Sequence, residues 1–166
     1  LTRLLPDLQI ELFVPDFQGR RDSIETVARL PIQVFAHNVE TVQELYPEVR
    51  RGADYRRSLE VLKIAASCRG SGRLPRTKTG IMVGLGETDD QLQRLFDDLA
   101  AVPVEILTIG QYIQPSKFNA PVHRYYEPDE YELLREKAVA RGLRHVVAGP
   151  YVRSSYLAER AYRGSL

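Results

Sequence analysis

Apolar positions along this chain alternate between two rhythms, short extended runs and longer stretches with apolar residues three or four apart. "LQIELFVPDF" (8–17) mixes alternation with an apolar run and stops at Pro15, Asp16 and Gly19, which predicts a strand ending in a loop. "DSIETVARL" (22–30) places Ile24, Val27 and Leu30 on one helical face. "IQVFAHN" (32–38) predicts a second strand, and "VETVQELYPEVR" (39–50) a helix as far as Pro47. Residues 54–68 carry a stripe of Leu59, Leu62 and Ala66 with Asp54 as the N-cap, and "GSGRLPRTKT" that follows predicts a loop.

The rhythm then repeats. A strand over 79–86 runs into a glycine turn and an acidic-starting helix over 87–100. A strand over 104–113, a long loop, a helix over 129–142 ended by Gly142 and a short strand over 144–149 complete the order. Strand and helix alternate about five times with no Asn-Gly hairpin signal, so parallel strands joined by crossover helices are expected. The fold class predicted is α/β, an open or partial βα barrel or a fragment of one, with residues 1–166 as a single domain. In such a fold, polar residues at the carboxyl ends of strands share one mouth. That rule collects Asp16, His37, Asn38, Glu40, Gly84, Gly86, Glu87, Gln111, Gln114 and Ser116 on a common rim, with "GPYVRSSY" (149–156) at the same end.

Composition narrows the function classes. Lys plus Arg number 23 against 22 Asp plus Glu, so no large field of one sign is offered to nucleic acid or a membrane surface. The longest apolar runs fall far short of the roughly 20 residues of a membrane span, and no signal peptide opens the chain. A soluble, intracellular protein is expected, in the cytoplasm, or in an organellar matrix if the source is eukaryotic. With Cys68 the one cysteine, neither a disulfide framework nor a thiolate metal cage can be assembled from this chain alone. Cys68 itself reads as a packed thiol, and His123 and His145 have no partner at metal-ligand spacing. The opening "LTRLLPDLQIELFVPDF" lacks an initiator methionine, and the chain is expected to be part of something longer.

Four stretches carry candidate chemistry. "HNVET" (37–41) reads equally as a polar grip on a nucleoside-like ligand and as a helix cap at Asn38. "TGIMVGLGET" (79–88) has glycines that let backbone approach a flat ligand and a glutamate, Glu87, able to accept hydrogen bonds from it. It lacks the third glycine of a dinucleotide fingerprint. "IGQYIQPS" (109–116) offers Gln111 and Gln114 after a strand. "VRSSYLAERAY" (152–162) reads locally as a helix start capped by Ser154, and no base or G-x-S-x-G elbow marks a serine nucleophile. A hydroxyl there could also ligate a metal centre. Local chemistry does not choose between its two serines.

Taken in order, "IELFVPDFQGR", "AHNVETV", "LYPEVRRGADYRRSLEVLK", "TKTGIMVGLGET", "LTIGQYIQPS" and "VRSSY" resemble the carboxyl-terminal half of the lipoyl synthase family of radical S-adenosylmethionine enzymes, collinear from about residue 8 to 160. The resemblance implies a partial six-stranded βα barrel, present here as about five βα units. It also implies insertion of two sulfur atoms, at carbons 6 and 8, into an octanoyl chain on a lysine of a lipoyl carrier protein. The cofactors implied are two 4Fe-4S clusters and S-adenosylmethionine, with a reducing electron donor as a further partner.

On this chain the resemblance assigns Ser155 as fourth ligand of the auxiliary, sulfur-donating cluster. A hard oxygen beside soft thiolates is suited to release when that cluster is dismantled. Arg153, beside Ser155, is placed to steer an anionic group. Gly80, Met82, Gly84 and Glu87 are assigned to the adenine side of S-adenosylmethionine, Asn38 and Glu40 to its ribose or methionine part, and Gln111 to the same rim. The family's six cluster cysteines, in a C-x4-C-x5-C run and a C-x3-C-x2-C run, belong to its amino-terminal half, and Cys68 matches neither. Further departures are Leu157 where the family commonly has His, and Phe118 with Asn119 where histidines often occur. The alternatives are another radical enzyme that inserts sulfur on the same barrel, or a cluster-free module binding a nucleoside-like ligand or the carrier.

Overall fold

The computed structural model describes residues 4–5, 7–68 and 75–155. Among these, five strands form one parallel sheet: β1 (Glu11–Phe13), β2 (Val34–Ala36), β3 (Arg76–Val83), β4 (Ile106–Gln111) and β5 (His145–Gly149), in the spatial order of the chain. Each neighbouring pair is parallel. A sheet in sequence order has no point at which the winding reverses, so its crossovers all advance the same way, as in a barrel and unlike a doubly wound sheet. This is the partial βα barrel that the alternating pattern predicted.

The helices α1 (Arg21–Ala28), α3 (Tyr55–Ser67), α4 (Asp89–Ala101) and α5 (Pro128–Ala140) bury their apolar stripes on one face of the sheet. Ile81, Val83, Leu107, Ile109 and Val146 pack there with Leu62, Phe96, Leu99, Tyr131 and Leu134. Phe35 joins Ile24, Val61 and Ile64 in a second cluster. Alternation along each strand therefore turns Lys78, Gly80, Met82, Thr108, Gly110 and Gly149 to the opposite, concave face.

Local chemistry explains the element ends. Asp54 Oδ1 accepts from Arg57 N at 2.6 Å and starts α3 as expected. Thr88 and Gln91 form a reciprocal capping box that starts α4 at Asp89, two residues later than the pattern suggested.

Two expectations need correction. The helix predicted from residue 39 as far as Pro47 gives way to a 3-10 turn (Gln43–Leu45) and the short α2 (Tyr46–Val49), because Glu40 holds φ 72° and bridges to Ile81 as an extra rung beside β3. Asn38 is accordingly not a helix cap. The stretch "GSGRLPRTKT", expected to be loop as far as Thr79, is instead strand from Arg76 onward. Its Lys78 is fully buried, with Nζ 2.9 and 3.1 Å from the carboxylate oxygens of Glu11. Of the predicted helix start at Ser154, and of the departure at Leu157, everything from residue 156 on lies outside the described residues.

Candidate functional site

The strand ends build the site around backbone that has been bent to receive it. β2 continues into His37 and Asn38, and the left-handed Glu40 then pins the chain to β3, its N–H donating to Gly80 O at 2.9 Å and its carbonyl accepting from Met82 N at 2.7 Å. Gly80 has no side chain because none would fit: a Cβ there would stand 2.8 Å from Thr108 Oγ1 and 2.9 Å from Asn38 Oδ1. The Asn38 amide lies over that glycine and donates Nδ2 to Glu40 Oε1 at 3.2 Å, while its Oδ1 is buried with no hydrogen-bond partner among the described residues.

An open cavity of about 420 Å³ lies here, lined by Asp16, His37, Asn38, Glu40, Arg50 and Arg57 among others. His37 Nδ1 bonds to Val14 O at 2.9 Å, and its Nε2 is buried and unpaired among the described residues. Burial pushes the imidazole below its ordinary 6.5, against the opposing pull of that hydrogen bond, so the ring is neutral near pH 7. Burial likewise pushes the Glu40 carboxyl up, with the Asn38 hydrogen bond and the Arg50 charge pulling the other way. A buried unpaired carbonyl, a buried unpaired ring nitrogen and a carboxyl reluctant to ionise suit a polar ligand that brings its own donors and charge. Arg50, which sequence reasoning missed, donates Nη1 to Asn38 O at 3.3 Å and lies over the Tyr46 ring.

Glu87 and Gln111 occupy the rim, and both side chains are hydrogen-bonded within the protein. Glu87 accepts from Gly84 N at 2.7 Å, Leu85 N at 2.9 Å and the Tyr126 hydroxyl at 2.9 Å. Gln111 is buried, donating to Arg124 O at 3.0 Å and accepting from Tyr126 N at 3.1 Å and the Tyr131 hydroxyl at 2.9 Å. Burial, then the Glu87 charge, pushes the Tyr126 hydroxyl up to about 12, which keeps it a donor. A Cβ on Gly84 would collide with the Gln111 amide. Together these groups latch the loop 112–127 onto the ends of β3 and β4. Gln111→Leu leaves the Arg124 carbonyl, Tyr126 N–H and Tyr131 hydroxyl without that partner, and a loss of about 2–3 kcal/mol is expected, with faster proteolysis inside the loop. Urea unfolding and limited digestion check both.

The remaining expected positions separate. Met82 is half-buried on the concave face, in register with Gly110. Gln114 and Ser116 are exposed and, among the described residues, bond only within their own loop; neither lines the cavity. Arg153 and Ser155 are exposed beyond β5, and Ser155 makes no hydrogen bond among the described residues. Among the described residues no group of three or more His, Cys, Asp or Glu could hold a metal ion. The Cys68 thiol is buried, bonded to Ile64 O, and pushed up by burial, as expected of a packed thiol. No helix among the described residues is long and apolar enough to cross a membrane.

Comparison with known proteins adds to this geometry. The lipoyl synthase of Halorhodospira halophila (strain DSM 244 / SL1) is 48% identical over 161 residues, covering 96% of this chain and 47% of that protein. The lipoyl synthase of Koribacter versatilis (strain Ellin345) is 47% identical over 151 residues, 91% of this chain and 49% of that one. That of Hydrogenovibrio crunogenus (strain DSM 25203 / XCL-2) is 47% identical over 163 residues, 96% of this chain and 50% of that one. The chain spans about half the length of the curated relatives it matches. Residues 2–99 match the Radical SAM superfamily. Because that match covers more than half of the chain, and a singly wound parallel βα sheet is what the resemblance implied, the chain belongs to the Radical SAM superfamily.

Proposed function

We propose that this chain is the S-adenosylmethionine-facing, carboxyl-terminal part of a lipoyl synthase, and that residues 1–166 form one domain of it. The observation that carries the reading is the unpartnered Asn38 carbonyl lying over Gly80 inside a rim cavity, in a chain about half identical to lipoyl synthases over nearly its whole length. The residues fit the nucleoside. Asn38 and Glu40 offer an acceptor and a carboxylate to ribose hydroxyls or the methionine amine. Met82 presents its side chain to the adenine on the concave face, while Gly80 admits the Asn38 amide and Gly84 the Gln111 amide beside that surface. Glu87 and Gln111 serve that surface indirectly, by fixing the turn and the loop above it.

Bound together, S-adenosylmethionine and the iron-sulfur clusters, two in number, supply a hydrogen-abstracting radical and the sulfur. This chain brings Ser155, a single oxygen ligand with an adjacent cationic Arg153; the cysteines that complete a cluster come from elsewhere. Its partners are an octanoylated lipoyl carrier protein or domain and an electron donor, and its compartment the cytoplasm or an organellar matrix.

The test is acceptor choice by the full-length protein, loaded with iron and sulfide and given a reductant. Deoxyadenosine release is expected to be accompanied by sulfur-bearing product on the octanoylated carrier and on no other acylated or free acceptor. Product on a different acceptor assigns the chain to another sulfur-inserting enzyme. Calorimetry showing tight S-adenosylmethionine or carrier binding without iron, and no turnover with it, supports a binding module instead.

A further inference from the structure

The short segment that carries Arg153 and Ser155 is seated by two glycines that sequence reasoning passed over. Gly110 on β4 and Gly149 on β5 stand opposite each other in register on the concave face, and Met82 stands opposite Gly110 on its other side. Neither glycine has a positive φ, so neither is needed for an unusual backbone conformation. What they supply is room. The chain turns back after β5, with Val152 N donating to Gly149 O at 3.1 Å. Val152 is buried at 5% exposure although Tyr151 before it is 81% exposed.

A Cβ on Gly110 would collide with the Val152 carbonyl oxygen and stand 3.2 Å from its carbon and 3.3 Å from Arg153 Nη1. A Cβ on Gly149 would press on Val152 Cγ2 at 3.3 Å. The obstructing group at Gly110 is backbone, which cannot swing aside as a side-chain end can. Arg153 Nη1 holds that same carbonyl with a hydrogen bond of 2.8 Å.

We infer that Gly110, with Gly149 beside it, is a positioning residue: the pair forms a notch that seats Val152 and so sets where Ser155 stands over the strand ends. Ser155 follows Val152 by three residues, a reach of at most about 11 Å, so a shift of the Val152 carbonyl is passed directly to the serine. The consequence for a cluster rests on the reading of Ser155 given above; the seating itself does not.

The test uses the full-length protein with its cluster cysteines, as wild type, Gly110→Ala and Ser155→Ala. In the metal-free proteins, amide exchange over residues 150–155 is expected to be at least about tenfold faster in Gly110→Ala than in wild type. After loading, Gly110→Ala is expected to alter the electron paramagnetic resonance signal of the auxiliary cluster, as Ser155→Ala does. The signal of the S-adenosylmethionine-binding cluster stays as in wild type. Wild-type exchange in Gly110→Ala overturns the seating; an unchanged auxiliary signal where Ser155→Ala changes it overturns the claim that the notch sets where Ser155 stands. Should Gly110→Ala not fold, Val152→Ala empties the notch without overlap and is judged by the same exchange: faster supports the seating, unchanged overturns it. If Ser155→Ala leaves the auxiliary signal intact, the ligand assignment of Ser155 fails, and the exchange measurement still decides the seating.

Discussion

Glu40→Gly is expected to raise the stability of the protein while removing most of the S-adenosylmethionine affinity proposed for it. Glu40 is held at φ 72°, a left-handed conformation that costs a non-glycine residue about 1–3 kcal/mol, and two backbone hydrogen bonds to β3 keep it there. Glycine adopts that conformation freely, at a cost of about 0.5–1 kcal/mol in chain entropy, so a net gain near 1 kcal/mol is expected by thermal or urea unfolding. The same change deletes a carboxylate that would accept charge-assisted hydrogen bonds, each worth about 1.5–3 kcal/mol, so affinity measured by calorimetry should fall about 10- to 100-fold. Lower stability together with undiminished binding would show that the bend at Glu40 serves neither purpose.

The carboxyl also gives the site a pH dependence. Burial raises its pKa above 4.5, so the folded state holds this proton more tightly than the unfolded chain. Its contribution to stability is therefore full below 4.5 and lost as pH rises through the raised value. Ligand binding through the carboxylate runs the other way and weakens as pH falls through that value. Glu40→Gln should flatten both trends while keeping the bend.

Lys78→Met is expected to cost about 3 kcal/mol of stability. Lys78 is fully buried on the concave face and meets both oxygens of Glu11, across the intervening strand β2. Removing the lysine strands the carboxylate, whose side chain is 21% exposed and can recover part of its hydration, which keeps the cost at the lower end for a buried pair. Glu11→Gln combined with Lys78→Met should regain much of the loss, because no charge is then left unpaired. A double-mutant cycle by urea unfolding checks this, and a loss below about 1 kcal/mol for the single variant would show the pair to be incidental.

The alternation of strand and helix is legible because most elements announce themselves locally, as Asp54 does before α3 and the apolar run does in β4. The first half of β3 is not. Arg76, Thr77 and Lys78 read as polar loop, and only Glu11, 67 residues away, makes Lys78 acceptable inside. Glu40 is visible as a polar group just past a strand, but the bend that ends the predicted helix depends on a pairing with β3 that has no local signature. Gln111 and Glu87 stand at strand ends on the rim, yet their partners Arg124 and Tyr126 come from a loop whose course the pattern does not fix, and Tyr131 from the helix that follows it. Gly110 sits in plain view within "LTIGQY", and its value appears only once Val152 is seen to fold over it.

Mass spectrometry of an octanoylated carrier protein, after incubation with the full-length iron-loaded protein, S-adenosylmethionine and a reductant, tests the proposed activity most directly. The expected result is an octanoyl group that has gained two sulfur atoms and lost two hydrogens, at carbons 6 and 8. An octanoyl group left unchanged while S-adenosylmethionine is cleaved, or one carrying sulfur elsewhere, would contradict it.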